Sequence, residues 1–298
     1  MNQTKDRSET TACTLALEAV QAYREKTFRS HPSRRLTQLN QAVDFVNERG
    51  FVFLYAIKDV VLPSLWVAAA GDRPVPKEHN DPGQIVWDWK DRSLGKKRWH
   101  YARFLHRRNT LISLAVLPYF YALSPNYGEP EIDYLDQYEQ GLMTRESKQV
   151  YEALLKFGPM DTLALREAAQ MTAADSYGRF NKALEDLQRE LKILPVGISE
   201  AGAWNYAFIF DLVHRHYPDL IAQAGEISEP QARDTLLEIY FKSVGAVPAR
   251  QIPKLTGWRP EDIQRALKRL EEREILCTGV QVPEQKDGWI SLTSLVDA

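Results

Sequence analysis

Apolar positions recur at spacings of three and four along much of this 298-residue chain, the period of helices that bury one face. Leu15, Leu17, Val20 and Tyr23 predict a helix over about 11–28, broken at His31-Pro32-Ser33. Leu36, Leu39, Val43 and Val46 predict a second over about 35–49, stopped by Gly50. The pattern then changes: Phe51-Val-Phe-Leu-Tyr-Ala-Ile57 is a continuous aromatic and β-branched run, which predicts a buried strand. Residues 62–70, closed by Gly71, predict a short helix. Residues 71–95 carry the least regular pattern, with Pro74, Pro76, Pro82 and Gly83, and predict a long loop of functional or mobile kind. Residues 93–108 predict a helix, 109–123 an apolar segment interrupted by Pro118, and the acidic, turn-rich residues that follow a connector at 129–143.

The second half repeats itself. Ala183-Leu184-Glu-Asp-Leu187 with Ile193-Leu194 is matched by Ala266-Leu267-Lys-Arg-Leu270 with Ile275-Leu276, at offsets of 83 and 82 residues. Two shorter helical patterns precede each: about 144–157 (Thr144 a candidate N-cap) and 162–170, then about 230–244 and 248–255. The third helices span about 174–192 and 260–273. Each leads into a Trp-led apolar run, Trp204-Asn-Tyr-Ala-Phe-Ile209 or Trp289-Ile-Ser-Leu292, within hairpins predicted at about 193–210 and 275–292. A helix over about 211–220 joins the two repeats. Three helices and a two-stranded hairpin is the order of a winged helix. The predicted fold is therefore α+β and helix-dominated, with three tandem winged-helix units. The expected boundaries are a disordered tail at 1–10, an elaborated first unit at 11–128, a second unit at 144–222 and a third at 228–298.

Composition excludes several classes. Hydrophobic residues at 44% and charged residues at 26% describe an ordinary globular chain. The longest apolar run, 60–70, holds Pro63 and Ser64 and is too short to span a membrane. The N-terminus lacks the apolar core of a signal peptide, so a cytoplasmic protein is expected. Cys13 and Cys277 have neither metal-site spacing nor a disulfide framework. With no glycine-rich phosphate loop, nucleophile elbow or zinc-finger spacing, neither a cofactor nor a metal is expected.

Charge adds more. The net charge of −2 conceals 19 Lys and Arg against 12 Asp and Glu in residues 1–128, with the excess reversed in the remainder. On the helix predicted at 93–108, Lys96, His100, Arg103 and Arg107 fall at i, i+4, i+7 and i+11 and make one cationic stripe. With Lys97 and Arg108 they are candidate phosphate contacts, and Trp87, Trp89 and Trp99 are candidate stacking platforms. The expected partner is double-stranded DNA. The third helices of the two repeats mix acid and base on their outward faces (Tyr177, Arg179, Lys182, Glu185, Asp186, Arg189; and Glu261, Gln264, Arg265, Lys268, Glu271), which predicts docking faces rather than phosphate contact. Glu78-His79-Asn80-Asp81 is the only close grouping of His with carboxylates in the irregular loop, where Asp81-Pro82-Gly83 reads first as a turn.

The helix ending Phe45-Val-Asn-Glu-Arg-Gly50, the run Phe51-Val52-Phe53-Leu54-Tyr55, and Pro63-Ser-Leu65-Trp66 with Gly71 resemble the AlkZ/YcaQ-like family of bacterial DNA glycosylases. The basic Arg98-Trp-His-Tyr-Ala-Arg103 occupies the place of a similar element, and the resemblance runs over about 35–295. It implies tandem winged helices and removal of alkylated bases by hydrolysis of the N-glycosidic bond. The family carries a Gln-apolar-Gln or Gln-apolar-Asp triplet just after the glycine that ends the helix. Phe53-Leu54-Tyr55 stands there instead, and Gln38-Leu39-Asn40 lies earlier, on a solvent-facing part of the preceding helix. The family's additional C-terminal β domain is also not expected. These features predict a DNA-binding protein of glycosylase-like family that acts on damaged, alkylated or crosslinked DNA. An active glycosylase drawing on Asn47, Glu48 or Asp59 is one alternative; a winged-helix assembly or transcription-regulatory module that touches only protein is another.

Overall fold

The computed structural model describes residues 13–76, 81–202 and 205–296. The expected tail at 1–10, the Glu78-His79-Asn80 grouping and Trp204 lie outside these residues. The chain opens with α1 (Leu17–Thr27). There follow α2 (Leu39–Arg49), β1 (Phe51–Phe53), α3 (Leu65–Ala70), α4 (Ile85–Ser93), β2 (His100–Arg103) and β3 (Asn109–Ile112). After α5 (Leu117–Ala122) and α6 (Pro130–Glu139) come α7 (Arg145–Phe157), β4 (Met160–Asp161), α8 (Thr162–Ala168), α9 (Tyr177–Arg189), β5 (Ile193–Ser199) and β6 (Ala207–Leu212). The links α10 (Val213–His216) and α11 (Leu220–Gly225) lead to α12 (Glu229–Val244), β7 (Ala246–Pro248), α13 (Gln251–Thr256), α14 (Pro260–Glu272), β8 (Leu276–Val280), β9 (Trp289–Leu292) and α15 (Thr293–Val296).

The fold is α+β and helix-dominated, and one order of elements recurs: helix, strand, helix, helix, strand, strand. Each set closes an antiparallel three-stranded sheet with its last strand in the middle, in the orders β1-β3-β2, β4-β6-β5 and β7-β9-β8. That order is compatible with three winged-helix units. It also reveals in the first half the repeat whose sequence signal is confined to the second.

Local chemistry explains the helix ends. Ser64, Thr144 and Ser228 each accept a hydrogen bond from the amide three residues on (3.2, 3.1 and 3.4 Å), which satisfies one of the free N–H groups of a first turn. Asp161 accepts from both Leu163 and Ala164. Gly50 ends α2 at φ 77°, and a Cβ there would stand 2.5 Å from a side-chain carbon of Ile239 on α12. Glycine is thus required twice over, for its backbone and for the close approach of the third unit.

Three predicted elements differ from the structure. The strand expected over 51–57 stops at Phe53. Residues 71–95, expected to be loop, contain α4, introduced by a turn in which the Gly83 amide donates to Asp81 Oδ1 at 2.7 Å. The helix expected over 93–108 does not form: Gly95 (φ 69°) and Lys97 (φ 52°) are left-handed, and His100–Arg103 then pairs as a strand with β3, His100 opposite Ile112. Smaller differences are α6 inside the expected connector, and β6 running through Asp211 where a helix was expected.

The cores tie the units together. One apolar cluster joins Phe51, Phe120, Leu194, Val213, Tyr240, Phe241 and Ile290, and so spans all three repeats. A second, around Phe45, Trp66 and Trp89, lies within the first, and a third, around Tyr151, Phe180 and Leu187, within the second. Each large side chain buried in them contributes about 2 kcal/mol. At the start of the chain, Leu15 N donates to Gln281 O and Gln281 N to Cys13 O, both at 2.9 Å, adding an extended segment to the third unit. From there Arg24 on α1 donates to the carbonyls of Val244 and Ala246 at 3.1 and 2.5 Å.

Candidate functional site

Lys90, Lys96, Lys97, Arg103, Arg107 and Arg108 meet three different fates. Lys96, Lys97 and Arg108 are exposed and have no ion-pair partner among the described residues. Arg103 and Arg107 reach across to α9: Arg103 pairs with Glu185, and Arg107 with Asp186 at 3.0 Å and with Glu185 at 3.7 Å. The backbone amide of Arg103 also donates to Gln188 Oε1 at 3.0 Å. The mixed-charge face of α9 is therefore a docking face, and its partner is the first unit of the same chain. The expected stripe of Lys96, His100, Arg103 and Arg107 is not formed, because a strand and a tight turn replace the helix that would have aligned them.

His100 has no exposed surface, and both ring nitrogens lack a partner among the described residues. Burial, with the nearby His216, pulls its pKa down to about 3, so the ring is neutral and closed to a phosphate. Trp89 and Trp99 are likewise enclosed, at 1% and 3% exposure; of the three candidate tryptophans only Trp87 presents a face to solvent.

The third fate is that of Lys90, a residue the sequence hides among surface charges. Its side chain is wholly buried. Nζ lies 3.6 Å from the centre of the Trp87 ring and 4.8, 5.4 and 5.6 Å from Phe208, Tyr206 and Tyr101. It donates to Tyr206 Oη at 2.7 Å and pairs with Asp91, and Tyr206 Oη donates to Asp91 Oδ1 at 2.9 Å. Burial pulls the ammonium pKa down to about 8, with the Asp91 contact opposing. Lys90 thus fastens α4 of the first unit to the hairpin of the second.

Where the three units meet, they leave a cavity of about 620 Å³. Its walls are Phe51, Phe104, Phe120, Leu236 and Trp258, with Phe120 packed edge-on against both Phe51 and Phe104. His106 and Arg107 line it from the turn between β2 and β3 and are successive left-handed residues, φ 54° and 56°, a backbone that costs about 1 kcal/mol or more at each. Polar and charged residues line it too, Arg189, Glu190, Tyr240 and Lys254 among them. The Tyr240 hydroxyl is buried without a partner among the described residues. Glu190 is half-buried, and loss of water raises its pKa. Spacing gives no warning of this set, which is drawn from residues 51 to 258 by tertiary packing alone.

The positions expected to carry a polar pair are apolar in fact as well as in sequence. Phe53 and Leu54 have no exposed surface, the Phe53 ring lies 6.5 Å from that of His106, and the Tyr55 hydroxyl donates to Gln84 Oε1 at 3.3 Å. Asn47, Glu48 and Asp59 do not assemble. Glu48 is engaged by Arg29 and Arg49 at 3.0 and 2.8 Å, Asn47 is exposed beside it, and Asp59 sits at φ 62° in a separate turn; none lines the cavity. Among the described residues no group of three or more His, Cys, Asp or Glu could hold a metal ion, and no helix is long and apolar enough to cross a membrane.

The chain matches the family described as AlkZ related over residues 36–257. Its fold is similar to that of the Streptomyces sahachiroi DNA glycosylase AlkZ, with a TM-score of 0.60 and 13% identity over 95% of this chain and 71% of that one. No curated protein matches by sequence.

Proposed function

Because the chain belongs to the AlkZ-related family, we propose that it is a DNA-binding protein acting in recognition or repair of damaged duplex DNA, without base excision through residues 53–55. The observation that carries this reading is the central cavity. It has aromatic walls, Phe51 among them, and room for a planar base, while the buried Phe53 and Leu54 offer no side chain that can position water. Lys96, Lys97 and Arg108 are the open cations offered to phosphates, and Trp87 is the exposed ring among the candidate tryptophans. The structural likeness to a DNA glycosylase supports this as a scaffold and leaves the chemistry to the residues present.

The test pairs binding with base release on plain and alkylated duplexes. The expected result is salt-dependent binding without release of free base; release abolished by a Phe53→Ala substitution that leaves binding intact would overturn the reading. One observation favours a second reading, an active hydrolase. Glu190 is the only carboxylate lining the cavity among the described residues, and a raised pKa suits a general acid. Base release lost in Glu190→Gln would establish that reading instead.

A further inference from the structure

A second pocket, about 380 Å³, opens beside the first unit's core, lined by the start of α2, by α4 and by the turn leading to β2. It is lined by Thr37, Gln38, Leu39, Asn40, Ile85, Trp89, Arg92 and Arg98. We propose that it binds a phosphate group, held by Arg98 and Arg92. This rests on different residues from the cavity and does not depend on the reading given above.

The charge of the pocket carries the argument. Both ionised residues that line it are arginines, and no carboxylate does. Arg98 has no ion-pair partner among the described residues, and its Nη1 is fully buried with no hydrogen bond. A guanidinium does not shed its proton, so this half-buried one, left without an acid, is open to an external anion. Arg92 is held only by Asp88, at 3.2 Å in an exposed pair, a contact weak enough for the side chain to turn inward.

Thr37 donates to Gln41 Oε1, but other lining groups carry donors left open. Trp89, 1% exposed, has no hydrogen-bond partner for its indole N–H among the described residues. The side chains of Gln38 and Asn40 make no hydrogen bond among the described residues, and α2 starts without a side-chain cap. Its first internal bond is Ala42 N to Gln38 O, so the amides of Leu39 and Asn40 stay free at the positive end of the helix. Planar guanidinium forks with amides between them match the oxygens of a phosphate in geometry as well as charge. Leu39, Ile85 and Trp89 supply an apolar edge for whatever carries that phosphate.

The full chain is titrated calorimetrically with inorganic phosphate, against sodium chloride at equal ionic strength, and in parallel with a short oligonucleotide with and without a 5′-phosphate. Saturable phosphate binding is expected, weakened about tenfold or more in Arg98→Met, as loss of one charge-assisted contact requires. Asn40→Asp, a substitution at an exposed position that sets a like charge inside the pocket, should abolish it with melting unchanged. Preference for the 5′-phosphorylated strand assigns a terminal phosphate; equal binding of both strands assigns the phosphodiester backbone. Heat no greater than in chloride, or binding that survives both substitutions, overturns the proposal. Phosphate binding without any duplex affinity would sink the DNA-binding function and leave the pocket standing.

Discussion

Arg103 and Arg107 lie within a few residues of Lys96, Lys97 and Arg108, yet the two sets do different work. The first set closes on Glu185 and Asp186, more than seventy residues away in sequence, and seals one unit against the next. The second set meets no acid and stays in water. Lys90 takes the first outcome to its limit, boxed by four aromatic rings contributed by both units. A run of cations in sequence is therefore not a surface. What each contributes depends on whether distant carboxylates or rings reach it, and only the unreached ones are available to a polyanion.

The comparison is most sharply broken at Lys90. Lys90→Ala removes the stem that fills the box together with the Tyr206 hydrogen bond, and should lower unfolding free energy in urea by about 2–4 kcal/mol. Lys90→Met, which keeps the volume, should cost less than about 1.5 kcal/mol. The same pair gives a pH test. The folded pKa of Lys90 is depressed to about 8 from 10.5. Between those values the unfolded chain holds a proton that the folded chain does not, so stability rises with pH across that window. Wild type should gain on Lys90→Met from about pH 8 to 10.5; a flat difference would contradict the buried ammonium.

The exposed set should show the reverse signature, small in stability and large in binding. Combined alanine substitution of Lys96, Lys97 and Arg108 should leave unfolding within about 0.5 kcal/mol. It should reduce the slope of log affinity against log salt by close to one for each lost phosphate contact. Neutralising the acids tests the sealed set. Glu185→Gln with Asp186→Asn should cost at most about 1 kcal/mol, as partly exposed pairs do. It releases Arg103 and Arg107, so duplex affinity should rise and the salt slope steepen; weaker binding in that variant would show that the sealed pair is not held back from DNA.

How much of this the sequence discloses follows from the same physics. Helices α7, α9 and α14 carry regular apolar faces and clear end signals such as Thr144, Gly158 and Pro260, and they are legible with their repeat. The first unit is not. α4 lies where a loop is expected, and the burial of Lys90 depends on Tyr206 and Phe208 from the second unit. Strand β2 is buried at three successive positions, so it shows no alternation, and its charged neighbours mimic a helical stripe. Of the candidate site, the exposed cations and Trp87 could be named in advance. Glu190, His106, Tyr240 and Trp258 could not, since no local pattern joins residues from three repeats.

The most direct measurement is the affinity of the intact chain for a short duplex carrying an alkylated base, titrated from about 50 to 200 mM salt. The account predicts a linear log–log fall, shallower after loss of Lys96, Lys97 and Arg108 and steeper after loss of Glu185 and Asp186. No measurable binding, or an affinity indifferent to salt, would contradict it.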